Sequence, residues 1–470
     1  MNSAPTGPNI LFITADQHRG DTLGCSGHPC IQTPHMDQLA YEGVNFTSAY
    51  VDCPLCIPAR TALITGRHGH NFGCADWMPE FRVGHDRNLF LASLLTRGGY
   101  QTELIGKTHW FLDPDDRAGF EHITPYDQLH RQRMQELNRP APFVDGLGFN
   151  ELHPTLCTEP RHLHLTDWVV DRSLEFLETR QRSQPFFLWA SLHNPHPPLT
   201  AYEPYYSMYD NAPIPDPVIP AWLDSDRCPA WLHDHRWMFN PGPMSPAQIR
   251  KARSVYYGMI TYIDHQIQRI FGRLKRNGLW DNTLIVYTSD HGEQLGDYHD
   301  AHKCSFYEGS ARIPLIIRFP RAWGLPPGRT SEALVDLVDL YPTLLEAAGL
   351  PLPAGIDGVS LMPLIRDAAP DVREFLHGQQ GEHHMIRTKT RKYLYYGEDG
   401  AEQVFDMTGD RRDDTDLSDD PAEVEPLRER LISHLTSEGN PACADGQLVN
   451  AGRPKTDRAT LRGTNPLGWH

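Results

Sequence analysis

The residues from Cys53 to Gly66 read Cys-Pro-Leu-Cys-Ile-Pro-Ala-Arg-Thr-Ala-Leu-Ile-Thr-Gly. Pro58 has φ preset for a first helical turn, Ala59 to Ile64 favours helix, and Gly66 suits a left-handed stop. This places Cys56 at a helix start, where backbone N–H groups and the helix dipole favour an anion and lower a thiol pKa. Arg60, one turn on, adds a fixed positive charge on about the same face. The chemistry first indicated is an anion site around a reactive sulfur, against the plainer reading of a buried apolar cysteine beside a solvated arginine. Cys53 and Cys56 also form a CxxC pair, but no second CxxC follows and no compact set of four zinc ligands stands out among the 25 histidines.

Further reactive groups follow short apolar runs. Asn9 to Ala15 delivers Asp16 and Gln17, and Thr102 to Ile105 delivers Lys107 and His109. Phe186 to Leu192 delivers His193 and His196, and Leu284 to Ser289 delivers Asp290 and His291. Read as buried strands of a layered α/β sheet, these runs place all the groups at carboxyl ends, where such sheets bind ligands. Asp16, Gln17, Asp290 and His291 suit a divalent cation. Oxygen donors favour calcium or magnesium, and the imidazole moves the choice toward manganese. The alternative is that Asp16 and Asp290 only cap the helices after their strands. Arg60, Lys107, His109, His196 and Lys303 supply positive charge for an anionic substrate.

That supply matters because the 470-residue chain carries a formal net charge of -17, which argues against a nucleic-acid or anionic-membrane surface. With 39% hydrophobic and 22% charged residues the composition is that of a globular protein. No apolar run reaches membrane-spanning length, and the first residues lack the features of a secretory signal, so a cytoplasmic location is expected. Nine scattered cysteines fit reduced thiols.

Helices are expected at Met36 to Glu42, Asn88 to Arg97, Thr166 to Arg180 with Thr166 as cap, Ser245 to Lys275, and Leu334 to Gly349. Val44 to Tyr50 and Ile313 to Phe319 read as further strands. Residues 113 to 160 and 197 to 243 read as long surface loops whose Tyr126, Arg131, Arg133, Trp231, His233 and Trp237 are candidates to line a pocket. After Ile365 the pattern changes to three short strands, at Met385 to Thr388, Lys392 to Tyr396 and Gln403 to Met407, with a helix at Glu423 to Thr436. The division expected is a catalytic region over 1–368 and a smaller α+β region over 369–470, whose tail after Gly446 is placed to reach a second copy in a homo-oligomer.

Together these motifs identify a resemblance. Cys56-Ile-Pro58-Ala-Arg60 with Thr65-Gly66 is similar to the C-x-P-x-R-x4-T-G motif of type I sulfatases, whose cysteine is oxidised to formylglycine. Gly106-Lys-Thr-His109, Pro195-His196-Pro-Pro198, Ser289-Asp-His-Gly-Glu293, Lys303 and Arg312-Ile-Pro314 match in the same order. The resemblance implies the alkaline-phosphatase-like fold, a large mixed sheet between helices plus a small C-terminal antiparallel sheet. It also implies a formylglycine-generating maturation enzyme as partner and a small anionic ester as substrate. By its mechanism, hydrated formylglycine at residue 56, held by Arg60 and coordinated to a calcium or manganese ion, magnesium ranking behind, attacks sulfur. His196 with Lys303 assists departure of the alcohol. His109, supported by Lys107, takes the proton of the remaining hydroxyl, whose oxygen then expels sulfate and regenerates the aldehyde. The pairs Asp16-Gln17 and Asp290-His291 depart from the Asp-Asp and Asp-Asn of many sulfatases and resemble phosphonate monoester hydrolases, whereas Lys107 and His109 match sulfatases. A sulfate monoester is the expected substrate and a phosphonate monoester or phosphodiester the alternative.

Overall fold

The computed structural model describes residues 7–456 apart from 77–83, 85, 111, 113–115, 139–144, 146, 149, 239–243, 368 and 410, and all but the side chains of 237 and 238 within them. Among these, the central sheet has eight strands: β1 (Asn9–Asp16), β2 (Val44–Phe46), β3 (Gln101–Gly106), β4 (His122–Pro125), β5 (Phe186–Pro195), β6 (Thr283–Ser289), β7 (Leu315–Arg318) and β8 (Arg329–Ser331). Their spatial order is β8-β2-β7-β6-β1-β5-β3-β4. The run from β6 to β4 is parallel throughout, while β7 lies antiparallel between β6 and β2. Four adjacent parallel strands, β6, β1, β5 and β3, therefore end at one edge.

The inner strands are buried on both faces because helices cover each side, while the edge strands β4 and β8 are partly exposed. The principal helices are α1 (Pro34–Glu42), α2 (Cys56–Thr65), α3 (Leu91–Arg97), α4 (Tyr126–Leu137), α5 (Leu165–Thr179), α6 (Ala230–Met238), α7 (Pro246–Arg276), α8 (Leu340–Ala347) and α9 (Pro421–Glu438). The period-two alternation of β1 divides its side chains between the layers. Ile10 and Phe12 pack with α2, α3 and α8. Leu11, Ile13 and Ala15 pack with α1, α5 and α7. Ser245 and Gln248 form a capping box at the start of the long α7, as the Ser-Pro opening suggests.

Four strands in sequence order, β9 (Phe375–Gln380), β10 (His383–Thr388), β11 (Arg391–Tyr396) and β12 (Ala401–Asp406), form the C-terminal antiparallel sheet. One face carries α9 through Val424, Leu427, Leu431 and Leu435 against Ile386, Tyr393 and Val404. The other face packs Met385, Leu394, Tyr396 and Phe405 on Tyr50, Trp222, Tyr298 and Tyr307.

Five expectations are corrected. Residues 113 to 160 contain a twelve-residue helix, α4, anchored by buried Tyr126, Leu129 and Arg133; its other residues are so polar that the periodicity does not stand out. Residues 197 to 243 contain α6. The strand β9, Phe-Leu-His-Gly-Gln-Gln, has only two large apolar residues, and its ladder with β10 overrides that weak propensity. The segment from Leu334 begins with a two-residue strand and a 3-10 turn before α8, and α5 is capped by His164 rather than Thr166.

Candidate active site

The parallel-strand edge gathers the groups the sequence singles out. Asp16 ends β1 and Gln17 follows with φ 66, just after a register shift between Thr14 and Asp16. A left-handed glutamine is a strained conformation that turns consecutive side chains into one space. Lys107 and His109 follow β3, His196 follows β5, and Asp290 and His291 follow β6. Gly106, at φ 108, lets β3 approach β5 so closely that a Cβ there would lie 2.0 Å from the Ser191 carbonyl oxygen. Lys107 can then donate its backbone N–H to that oxygen at 2.9 Å.

Cys56 is the first residue of α2, and all ten residues of that helix are buried. Leu55 before it offers no side-chain cap, leaving the first amides for an anion, and Gly66 closes the helix at φ 72. A Cβ at Gly66 would meet the Tyr341 ring at 2.6 Å, so packing and backbone both require glycine.

The Cys56 sulfur lies 3.0 Å from His291 Nε2, 3.4 Å from Lys303 Nζ, 3.8 Å from Asp16 Oδ1 and 4.0 Å from Lys107 Nζ. His109 also hydrogen-bonds it. Burial alone would raise the Cys56 thiol pKa. Lys107, Lys303 and His291 outweigh it and hold the thiol well below its ordinary range.

Each carboxylate gives Oδ2 to cationic side chains, and Oδ1 of Asp290 also accepts from the Gln17 and His291 amides, each at 3.1 Å. Asp16 Oδ2 accepts from Lys107 and stands 3.5 Å from Arg60 Nη2, while Oδ1 faces His291 Nε2 at 3.7 Å. Asp290 Oδ2 accepts from Arg60 Nε at 2.7 Å, while Oδ1 lies 3.8 Å from His291 Nε2. His291 Nδ1 is 2.9 Å from the Gly292 carbonyl, which can only accept; Nδ1 therefore carries a proton and Nε2 is the ring nitrogen turned toward the carboxylates. One donor atom each from Asp16, Cys56, Asp290 and His291 falls within 4.8 Å of all the others. Gln17 Oε1 accepts from Lys303 Nζ at 2.8 Å, and its Nε2 donates to Glu293. These oxygens and the imidazole fit a divalent cation.

Arg60 is fully buried and fixed by Asp290, by Ser191 Oγ at 2.8 Å and by the Lys107 carbonyl at 3.2 Å; its Nη2 has no hydrogen-bond acceptor. Arg60, Lys107 and Lys303 bring three cationic side chains to this site, beside Asp16, Asp290 and the Cys56 sulfur, although the chain as a whole is acidic. For Asp16, burial raises the pKa, as does Cys56, but Lys107, His196 and Arg60 prevail and keep it well below the carboxylate range. Burial first, then Lys107, lowers the His109 pKa; burial first, then Lys303, lowers that of His196.

All six reactive groups and the four further candidate ligands thus converge. Sequence reasoning assigned no role to Ser191, which links Arg60 to β3, or to Glu293, which fixes the Gln17 amide and accepts from the Leu295 amide at 2.9 Å. A serine within an otherwise apolar strand was the available signal for the first. The loop candidates stand apart. The Tyr126 hydroxyl accepts from the His193 amide at 3.0 Å and Arg133 donates to the Leu163 carbonyl at 3.0 Å, both as internal supports. Trp231 stacks on His235 with ring centroids 4.5 Å apart, His233 pairs with Asp234, Arg131 is exposed, and the Trp237 side chain lies outside those described.

Comparison with known proteins agrees with the fold. Residues 8–350 match the family model described as Sulfatase, and residues 296–439 match that of the N-sulphoglucosamine sulphohydrolase C-terminal region. An arylsulfatase of Clostridium perfringens is 32% identical over 485 aligned positions, covering 97% of this chain and 100% of the relative. A multifunctional alkaline phosphatase superfamily protein of Trinickia caryophylli is 31% identical over 79% of this chain and 80% of its own. The crystal structure of the phosphonate monoester hydrolase of Agrobacterium radiobacter superposes with a TM-score of 0.75 at 25% identity, covering 92% of this chain and 95% of that one. The fold is that of the sulfatase and alkaline phosphatase group. Within that group, the chain belongs to the sulfatase family, hydrolases acting on sulfuric esters. Among the described residues no helix is long and apolar enough to cross a membrane.

Proposed function

We propose that this chain hydrolyses a small sulfate monoester through residue 56, after a maturation enzyme has oxidised Cys56 to formylglycine, with one calcium or manganese ion held by Asp16, Gln17, Asp290 and His291 beside it. The observation that carries the reading is the position of Cys56, at the mouth of a buried helix, between a cation-binding donor set and the Lys107, Lys303 and Arg60 charges. Hydrated formylglycine and the cation supply an ionised oxygen nucleophile and a Lewis acid in such a site.

The chain's own residues do the rest. Arg60 and Lys107 hold Asp290 and Asp16 each by one oxygen, keeping the other aimed at the cation position. Lys303 and His196, 3.0 Å apart, would supply the proton that a departing alcohol oxygen needs. His109, kept neutral at neutral pH by its lowered pKa, is the base for the remaining hydroxyl. The transferring anion is stabilised by fixed, water-shielded cations.

Co-expression with a formylglycine-generating enzyme, followed by peptide mass spectrometry, tests the modification. Residue 56 is expected as the aldehyde, and turnover by fully unconverted thiol protein would overturn the reading. The Asp16-Gln17 and Asp290-His291 pairs, with the structural likeness to a phosphonate monoester hydrolase, favour a second reading, phosphonate monoester or phosphodiester hydrolysis at the same site. Comparison of kcat/KM for an aryl sulfate and an aryl phosphonate monoester separates the two, and a strong phosphonate preference would reverse their order.

A further inference from the structure

A second group of histidines lies outside this site, where the turn after α2 meets the C-terminal sheet. His70 is in the 3-10 turn Gly69–Phe72, His377 is on β9, and His434 and Glu438 are one turn apart at the end of α9. His70 Nε2 is 3.5 Å from Glu438 Oε2, and His434 Nε2 is 3.4 Å from Glu438 Oε1. The His377 ring centroid lies 5.1 Å from that of His70 and 4.5 Å from that of His434. One donor atom each from His70, His377 and Glu438 falls within 4.8 Å of the others.

Two features call for a ligand. The His70 side chain is only 3% exposed, yet its Nδ1 has no hydrogen-bond partner and its Nε2 has only the Glu438 carboxylate at 3.5 Å; Nε2 of the adjacent, fully buried His384 has no hydrogen-bond partner either. Buried ring nitrogens are normally satisfied, and leaving one open is costly. A cation accepting the free lone pairs would satisfy these nitrogens.

We propose that His70, His377 and Glu438 form a second metal site, for zinc or a similar late first-row divalent ion, with His434 as the neighbouring fourth donor. The donor chemistry excludes the hard-oxygen preference of calcium and magnesium and suits zinc. Glu438 and His434, 24% and 23% exposed, leave an entry path. Histidine and glutamate at i, i+4 on α9 present both donors from one helix face. Such an ion would tie together three segments distant in sequence: the turn beyond the Cys56 helix, β9 and α9. Its role is structural, since none of its ligands touches the Cys56 cluster.

The test uses tag-free full-length protein, stripped with a chelating resin and reloaded with zinc chloride alone. Metal analysis should find about one more zinc per chain in the wild type than in Glu438→Gln or His377→Gln, and zinc should raise the unfolding midpoint of the wild type more than that of either variant. Cobalt loading should give tetrahedral visible bands that Glu438→Gln weakens. Glu438→Gln alters a partly exposed helix residue, so it decides the matter should His377→Gln fail to fold. Aryl sulfatase turnover of Glu438→Gln, loaded at the first site, should match the wild type. Equal zinc content and equal midpoint shifts in wild type and Glu438→Gln would overturn the site.

Discussion

Lys303 Nζ stands 3.0 Å from His196 Nε2, while His196 Nδ1 is 2.7 Å from the Pro197 carbonyl oxygen. A carbonyl only accepts, so Nδ1 carries the ring proton and Nε2 accepts from the ammonium. The proton between Nζ and Nε2 thus resides on Lys303. Burial opposes that charge, but Cys56 and Asp16 prevail and raise the lysine pKa. If Lys303 and His196 serve the leaving alcohol, Lys303→Ala should cost about 10²–10⁴-fold in kcat for alkyl sulfates and far less for nitrophenyl sulfate, whose oxygen leaves without a proton. The slope of log kcat against leaving-group pKa should steepen. An equal loss for all substrates would assign Lys303 to positioning instead.

Arg60 offers a different test, of stability. It is the fully buried partner of Asp290 and Asp16 and also binds Ser191 and the Lys107 carbonyl. Removing one partner of such a group leaves buried charge uncompensated, which typically costs about 3–5 kcal/mol. Arg60→Ala should therefore lower the denaturant midpoint of the metal-free protein by about that much and abolish turnover. Arg60→Lys should recover part of the stability but little activity, since one ammonium cannot serve Asp290, Ser191 and a carbonyl from one plane. Unchanged stability in Arg60→Ala would show that the cluster relaxes on losing its centre.

The acid side of the stability curve should report His383. This residue on β10 lies against Trp231 and Tyr396, with ring centroids 5.0 and 5.2 Å away. Burial, reinforced by His384 and His235, pushes its pKa down from 6.5 to about 3. Below the unfolded value the unfolded chain binds the proton and the folded one does not. The stability contribution is therefore complete above pH 6.5 and is lost as pH falls toward about 3, of order 4 kcal/mol in all. His383→Phe keeps the ring packing and removes the titration, so its stability should fall less steeply over that window than the wild type's. Parallel curves from denaturant titrations followed by tryptophan fluorescence would contradict this.

The same comparison of local pattern and long-range contact explains what could be read in advance. Asp16, Lys107, His196 and Asp290 were legible because each follows a short apolar run, and parallel strands buried on both faces must end where their helices begin. Cys56 and Arg60 were legible because Pro58 and Gly66 bracket their helix. Ser191 and Glu293 were not, since their importance lies in the partners Arg60 and Gln17, 131 and 276 residues away. The histidine cluster was hidden for the same reason: His70, His377 and His434 share no sequence spacing that signals a metal. In α4 and β9 the tertiary contacts of a few residues, Leu129 in one and Leu376 in the other, decide a structure that their polar neighbours obscure.

The last prediction concerns the proposed cation at the first site. Its donor set combines oxygens of Asp16, Asp290 and Gln17 with a single imidazole, His291, whose Nε2 is turned toward the site by the Gly292 carbonyl. Imidazole favours manganese over calcium, whereas a carboxamide oxygen is a hard donor that calcium accepts readily. His291→Asn should therefore shift the metal bound from an equimolar manganese and calcium mixture toward calcium. It should do so without removing the site, because Asp16 and Asp290 remain held by Lys107 and Arg60. Metal analysis of wild type and variant after identical loading gives the ratio directly. If the manganese-to-calcium ratio did not change, His291 would be a neighbour of the Cys56 side chain rather than a ligand, and the 3.0 Å approach of its Nε2 to the sulfur would define its role instead.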